Sequence, residues 1–165
     1  MTEAIYINYY HSPLGLLEIR STEDSVTSIL FANSEKQTEE KNSLPKVMVQ
    51  CIEQLDEYFL GKRKIFQVPI SQSGTDFQKK VWKELEQIPY GRTISYLELS
   101  KRIGDVKSVR AAGTANGQNK ISIIVPCHRV IGSNGSLVGY SGGMKNKQWL
   151  LEQESKFSSG VQKLF

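Results

Sequence analysis

The sequence predicts two units of different build, a small α+β layer followed by a mostly helical part. Three observations predict this. Short segments of alternating apolar character fill the first third of the 165 residues, and apolar residues recur at helical spacing from residue 75 onward. The charge balance also reverses at Ser71-Gln72-Ser73-Gly74, a polar and flexible stretch. Residues 1–74 hold seven Lys and Arg against ten Asp and Glu, and residues 75–165 hold fourteen against seven. The expected division is therefore 1–74 and 75–165.

In the first unit, Ile5 to Tyr10 and Leu16 to Arg20 read as strands flanking Ser12-Pro13-Leu14-Gly15, a turn-rich tetrapeptide. Thr22 to Ser25 is a second turn leading into a strand from Val26 to Phe31. Asn33 to Ser43 is polar and reads as a loop. Leu44 to Phe59 reads as a helix, because Val47, Cys51, Leu55 and Tyr58 or Phe59 share one face, and Gly61 is placed to end it. Lys64 to Ile70 reads as one more strand. Strands with one helix packed on them make a small α+β layer.

Beyond the boundary the chain turns helical. Thr75 can cap a helix whose inner face is Phe77, Val81, Leu85 and Ile88, stopped by Pro89-Tyr90-Gly91. Ser95 can cap a second helix, Tyr96 to Ile103, closed by Gly104, and a third runs from about Lys107 to Ala115. Helix, glycine-bearing turn, helix is the helix-turn-helix arrangement. The third helix carries a single long basic side chain, Arg110, among residues of little bulk. A reader of the major groove needs several long polar side chains. A smooth face with one arginine suits the minor groove and the backbone, with little sequence reading. Tight packing of the same small residues against another element is the equal alternative from helix composition alone.

A net charge of +4, 39% hydrophobic and 23% charged residues describe an ordinary globular chain. No apolar run reaches the length of a membrane-spanning helix. Met1 to Tyr6 lacks the basic start and apolar segment of a secretory signal. Two cysteines argue against a disulfide scaffold, and the expected compartment is the cytoplasm. The basic half suits a polyanionic partner, although a solvated basic surface would have the same composition.

Cys51 lies on the apolar helix face and reads as core. Cys127 differs. It follows the apolar run Ile121 to Val125, read as a strand that ends at Pro126, and it adjoins His128, one of only two histidines. An imidazole beside a thiol can take its proton and leave the nucleophilic thiolate.

Pro-Cys-His-Arg-Val (126–130) resembles the active site of the O6-alkylguanine-DNA alkyltransferases. Pro-Tyr-Gly (89–91), Ile-Ser-Tyr (94–96), Arg110, Ala-Asn-Gly-Gln-Asn (115–119) and Tyr-Ser-Gly-Gly (140–143) extend the likeness in order from about Thr75 to Glu154. The resemblance implies a ribonuclease-H-like α+β unit and a winged helix-turn-helix-like second unit. It implies irreversible, stoichiometric transfer of the alkyl group of O6-alkylguanine, with O4-alkylthymine a second candidate, from double-stranded DNA to Cys127. The damaged nucleotide must first leave the stack, since its alkyl carbon is out of reach within the duplex. Catalytic roles are implied for Cys127 as acceptor, His128 as base, Glu154 as its orienting partner, Asn119 as brace of the turn beneath the site and Tyr96 beside the leaving base. DNA contact is implied for Arg110, Tyr96, Ser95, Ala111, Ala112, Gly113 and Arg129, and Tyr140, Ser141 and Val130 are expected to wall the pocket. The protein is expected to be a monomer without a cofactor.

Glu154 is selected over Glu152 by the family pattern alone. Lys120 stands where the family often has proline. Some relatives carry zinc in the first unit, but His11, His128, Cys51 and Cys127 form no zinc-binding cluster by spacing. The residues alone also leave open a lesion-sensing DNA-binding module and a cysteine hydrolase. Adjacent Cys and His is unusual for the latter, whose pair comes from separate parts of the chain.

Overall fold

The computed structural model describes residues 4–36, 43–137 and 139–158. The chain divides into two compact units, Met1–Gln72 and Ser73–Phe165. In the first, β1 (Tyr6–Ser12), β2 (Gly15–Ser21) and β3 (Val26–Phe31) form an antiparallel sheet in the order β1-β2-β3. Alternation along β2 sends Leu17 and Ile19 inward, where they are fully buried. The helix α1 (Lys46–Phe59) begins after Pro45 and covers that face with Met48, Cys51, Leu55 and Tyr58. Cys51 is core as expected, and burial pushes its thiol up to about 12. Part of the Asn33 to Ser43 loop lies outside the described residues.

Lys64 to Ile70 is not the expected strand. Only Ile70 bridges to the sheet, in parallel with Val26. The reason is competition for backbone groups. The Gln54 side chain of α1 accepts from the Gln67 N–H at 2.8 Å and donates to the Gln67 carbonyl at 3.4 Å. Arg63 donates to the Ile65 carbonyl, and Pro69 has no N–H to give.

The second unit is mostly helical, with α2 (Asp76–Leu85), α3 (Tyr96–Arg102), α4 (Val109–Gly117) and α5 (Met144–Phe157). Two short strands, β4 (Ile94–Ser95) and β5 (Val130–Ile131), pair in parallel. The start signals hold at atomic level. Thr75 and Gln78 form a reciprocal capping box, and Ser95 Oγ accepts from the Glu98 N–H. The inner face of α2 differs from expectation at one position. Phe77 is exposed, and Trp82 is buried instead, donating its indole N–H to the Ala115 carbonyl of α4 at 2.8 Å. A ring that must satisfy its N–H is held in place by that partner. Thus α2 fixes α4, and α3 with α4 makes the helix-turn-helix.

Candidate active site

The run Ile121 to Val125, read as a strand, is a turn. Its β-branched residues favour extension, but a buried side chain takes over the backbone groups that a strand would use. Asn119 Nδ2 donates to the Ile121 and Val125 carbonyls at 3.3 and 2.9 Å, and Asn119 Oδ1 accepts from the Ile121 N–H at 3.1 Å. The Val125 N–H closes the turn onto the Ile121 carbonyl. Ile123 is thereby held at φ 74°, a left-handed conformation that costs a β-branched residue about 1–3 kcal/mol. The chain emerges at Pro126 into a single 3₁₀ turn, Cys127–Arg129.

Cys127 is 4% exposed. Burial pushes its thiol up, while a hydrogen bond from Asn119 and the charge of Lys147 pull it back toward the thiolate. Asn116, on α4, donates to the Cys127 carbonyl at 3.3 Å.

Next in the turn, His128 is fully buried, and its Nε2 lies 2.7 Å from Glu154 Oε2. The Nδ1 atom has no hydrogen-bond partner among the described residues. Burial alone would raise the Glu154 carboxyl, but His128 and Arg129 hold it well below the usual carboxylate range. Arg129 was expected to contact DNA. It is instead 6% exposed and donates to both Glu154 oxygens, from Nε at 2.7 Å and Nη2 at 3.0 Å, and from Nη1 to the Ile88 carbonyl. Three of its donors are thus spent inside the protein, on Glu154 and the Ile88 carbonyl.

A pocket of about 520 Å³ is lined by Tyr96, Arg110, Gly113, Thr114, Gly117, Gly139, Tyr140 and Ser141. Tyr96 and Tyr140 both sense Cys127. Burial first, then the Cys127 charge, raises each hydroxyl above its ordinary range. The structure therefore brings Cys127, His128, Glu154, Asn119, Tyr96, Tyr140 and Ser141 into one region. On α4, Arg110 and Ala111 are exposed and Gly113 is half-buried at the pocket wall. Ala112 was expected to touch DNA but is fully buried, because the inner face of α4 is Ala112, Ala115 and Asn116. Ser95 is occupied as the cap of α3. Val130, expected in the pocket wall, is buried in β5 and contributes its carbonyl to another residue.

That residue is Lys147, which the sequence reading missed. Lys147 is fully buried, donates from Nζ to the Val130 carbonyl at 2.7 Å and lies 5.9 Å from the centre of the Tyr96 ring. Burial pushes it down to about 8, against the pull of Cys127. One signal could have found it: Lys147, Leu150 and Glu154 recur at i, i+3, i+7 on the buried face of α5.

The sequence model for the 6-O-methylguanine DNA methyltransferase DNA-binding domain matches residues 76–156, and that for the ribonuclease-like domain of the same proteins matches residues 5–72. The chain belongs to the 6-O-methylguanine DNA methyltransferase family. It is 43% identical to the constitutive methylated-DNA–protein-cysteine methyltransferase of Bacillus subtilis, over 90% of this chain and 96% of that protein. It is 41% identical to the methylated-DNA–protein-cysteine methyltransferase of Methanosarcina acetivorans, over 91% and 98% respectively. Among solved structures, Mycobacterium tuberculosis OGT in complex with DNA superposes with a TM-score of 0.82 at 41% identity, covering 92% of this chain and 93% of that one.

In this family member a buried lysine close enough to act on the Cys127 thiol has a measurable signature. The folded-state value of Lys147 lies near 8, below its ordinary 10.5. The unfolded chain therefore binds more protons between those values, and the group's penalty on folding lifts as pH rises through that window. Urea unfolding should show wild type gaining stability relative to Lys147→Met from about pH 8 to 10.5. A difference independent of pH would mean that Lys147 titrates like an exposed lysine.

Proposed function

We propose that this chain repairs DNA by direct, irreversible transfer of the alkyl group of O6-alkylguanine in double-stranded DNA to Cys127. Family membership supports the reaction class. The observation that carries the residue assignment is the setting of Cys127, a buried thiol on a braced turn, next in sequence to a histidine paired with a buried carboxylate.

In this reading α4 approaches the minor groove with its exposed face, and Arg110 takes the space of the rotated nucleotide. The damaged base enters the pocket between Tyr96 and Tyr140. His128 takes the thiol proton through a water, with Glu154 stabilising the imidazolium. Sγ attacks the alkyl carbon, the S–C bond forms as the C–O6 bond breaks, and guanine keeps the oxygen and the bonding pair. The Tyr96 hydroxyl hydrogen-bonds the departing base, which takes up a proton from water, while the His128 imidazolium returns the thiol proton to water. Lys147 and the Asn119 amide favour the thiolate against the cost of burial. The displacement needs no cofactor, and the thioether has no hydrolytic exit, so each molecule acts once.

The units 1–74 and 75–165 act as the ribonuclease-like and DNA-binding domains. We assign the protein to the cytoplasm as a monomer; among the described residues no helix is long and apolar enough to cross a membrane.

Incubation with an oligonucleotide containing O6-methylguanine should add one methyl mass per molecule, mapped to Cys127. Cys127→Ser should gain none yet still bind the duplex, because an alcohol is a far weaker nucleophile near neutral pH. Arg110→Ala should slow repair of duplex at least about tenfold and reaction with the free alkylated base far less, since only the duplex must be opened. Methyl on Cys51, or many lesions repaired per molecule, would overturn the single-use mechanism. Lesion binding without transfer would indicate a sensor.

A further inference from the structure

We propose that Arg129 is a positioning residue that fixes the tautomer of His128: by pairing with both Glu154 oxygens it keeps that carboxylate a pure acceptor, so Nε2 carries the ring proton and Nδ1 is left bare as the base. The inference rests on the proposed role of His128 in taking the Cys127 proton.

A buried carboxyl group can meet an imidazole in two ways. Ionised, it accepts from Nε2–H, and the free ring nitrogen keeps a lone pair. Protonated, it donates to Nε2, the ring proton moves to Nδ1, and the ring has no lone pair left to act as a base. Burial favours the second arrangement, since Glu154 is 1% exposed. Arg129 reverses that preference. It gives Glu154 two charge-assisted donors, 2.7 Å to Oε1 and 3.0 Å to Oε2, and the latter oxygen also faces His128 at 2.7 Å. The guanidinium is itself anchored by the Ile88 carbonyl at 2.7 Å and lies 5.6 Å from the centre of the Tyr90 ring. Because it is already satisfied inside the protein, its charge is available to Glu154 whether or not DNA is bound.

The other titratable groups around the pair do not supply this. Tyr90, from the turn after α2, and Tyr140, whose ring is edge-on to His128 at 6.5 Å, are neutral near pH 7, and burial raises both. Lys147, from α5, donates to the Val130 carbonyl, and its charge acts on Cys127. Cys127 is the proton donor of the reaction. Among the described residues the one His128 nitrogen without a partner is Nδ1, the atom that must stay unprotonated for the ring to act as a base.

The test uses the full chain labelled with ¹⁵N-histidine, read by two-bond proton–nitrogen correlation, with single-turnover transfer measured alongside. Wild type should show the ring proton on Nε2. Arg129→Met should move it to Nδ1 and slow transfer at neutral pH by about a hundredfold or more, the scale of losing a general base, with duplex affinity unchanged. Without its cation Glu154 is protonated below a raised value, so the wild-type-to-variant rate ratio should narrow as pH rises. Arg129→Lys keeps the charge and should keep the proton on Nε2. An Nδ1–H ring in wild type, or in Arg129→Lys, overturns the proposal even if Arg129→Met fails to fold. So does an Arg129→Met protein with Nε2–H and a pH-independent rate ratio. If wild type methylates Cys127 while the tautomer result fails, only the role of Arg129 falls; if wild type methylates nothing, the proposed function falls whatever the spectra show.

Discussion

The grip of one amide on the backbone of a five-residue turn is the constraint from which the site follows. Asn119 meets two carbonyls and one N–H between Ile121 and Val125. Those groups would otherwise need a neighbouring strand, because buried backbone polar groups left unpaired are costly. The same amide favours the Cys127 thiolate. A single buried residue therefore shapes the loop, holds a left-handed isoleucine within it and acts on the thiol that the loop presents.

Charge is handled around that loop by closure rather than by solvent. Glu154 sits between His128 and Arg129, and Lys147 sits between the Val130 carbonyl, Tyr96 and Cys127. Both acidic and basic members come from one face of α5, while the turn and β5 supply their partners. A buried ionised group is tolerated when paired and hydrogen-bonded, and its energetic consequence is then larger than at a surface. The helix-turn-helix meets this interior through Asn116, which reaches from α4 to the Cys127 carbonyl. The same helix exposes Arg110 on its other side.

Legibility in the sequence followed the range of the determining interaction. Thr75, Ser95 and Gly104 act within a few residues of themselves, so the helix ends could be read directly. The alternation in β2 and the spacing of Cys51 with Leu55 were likewise local. Ile121 to Val125 misled because its composition favours a strand while the deciding groups belong to a side chain two residues upstream. Lys64 to Ile70 misled for the same kind of reason, with Gln54 of α1 taking the backbone groups. Arg129 and Lys147 show a second limit. Basic residues read by composition suggest a surface, and only the i, i+3, i+7 relation of Lys147 to Leu150 and Glu154 marks an inward direction. Glu154 itself was chosen over its exposed neighbour Glu152 by family pattern, and the burial of α5 supplies the physical reason.

The most direct measurement of this account is single-turnover methyl transfer by Asn119→Ala, run beside wild type with duplex affinity and thermal unfolding recorded on the same samples. Removing the amide strips the brace from the turn and the hydrogen bond from the thiolate, while Arg110 and the outer face of α4 are untouched. The account predicts a folded but less stable protein that binds duplex normally and transfers methyl at least about tenfold more slowly, the scale of one lost thiolate hydrogen bond. Transfer at the wild-type rate would contradict it.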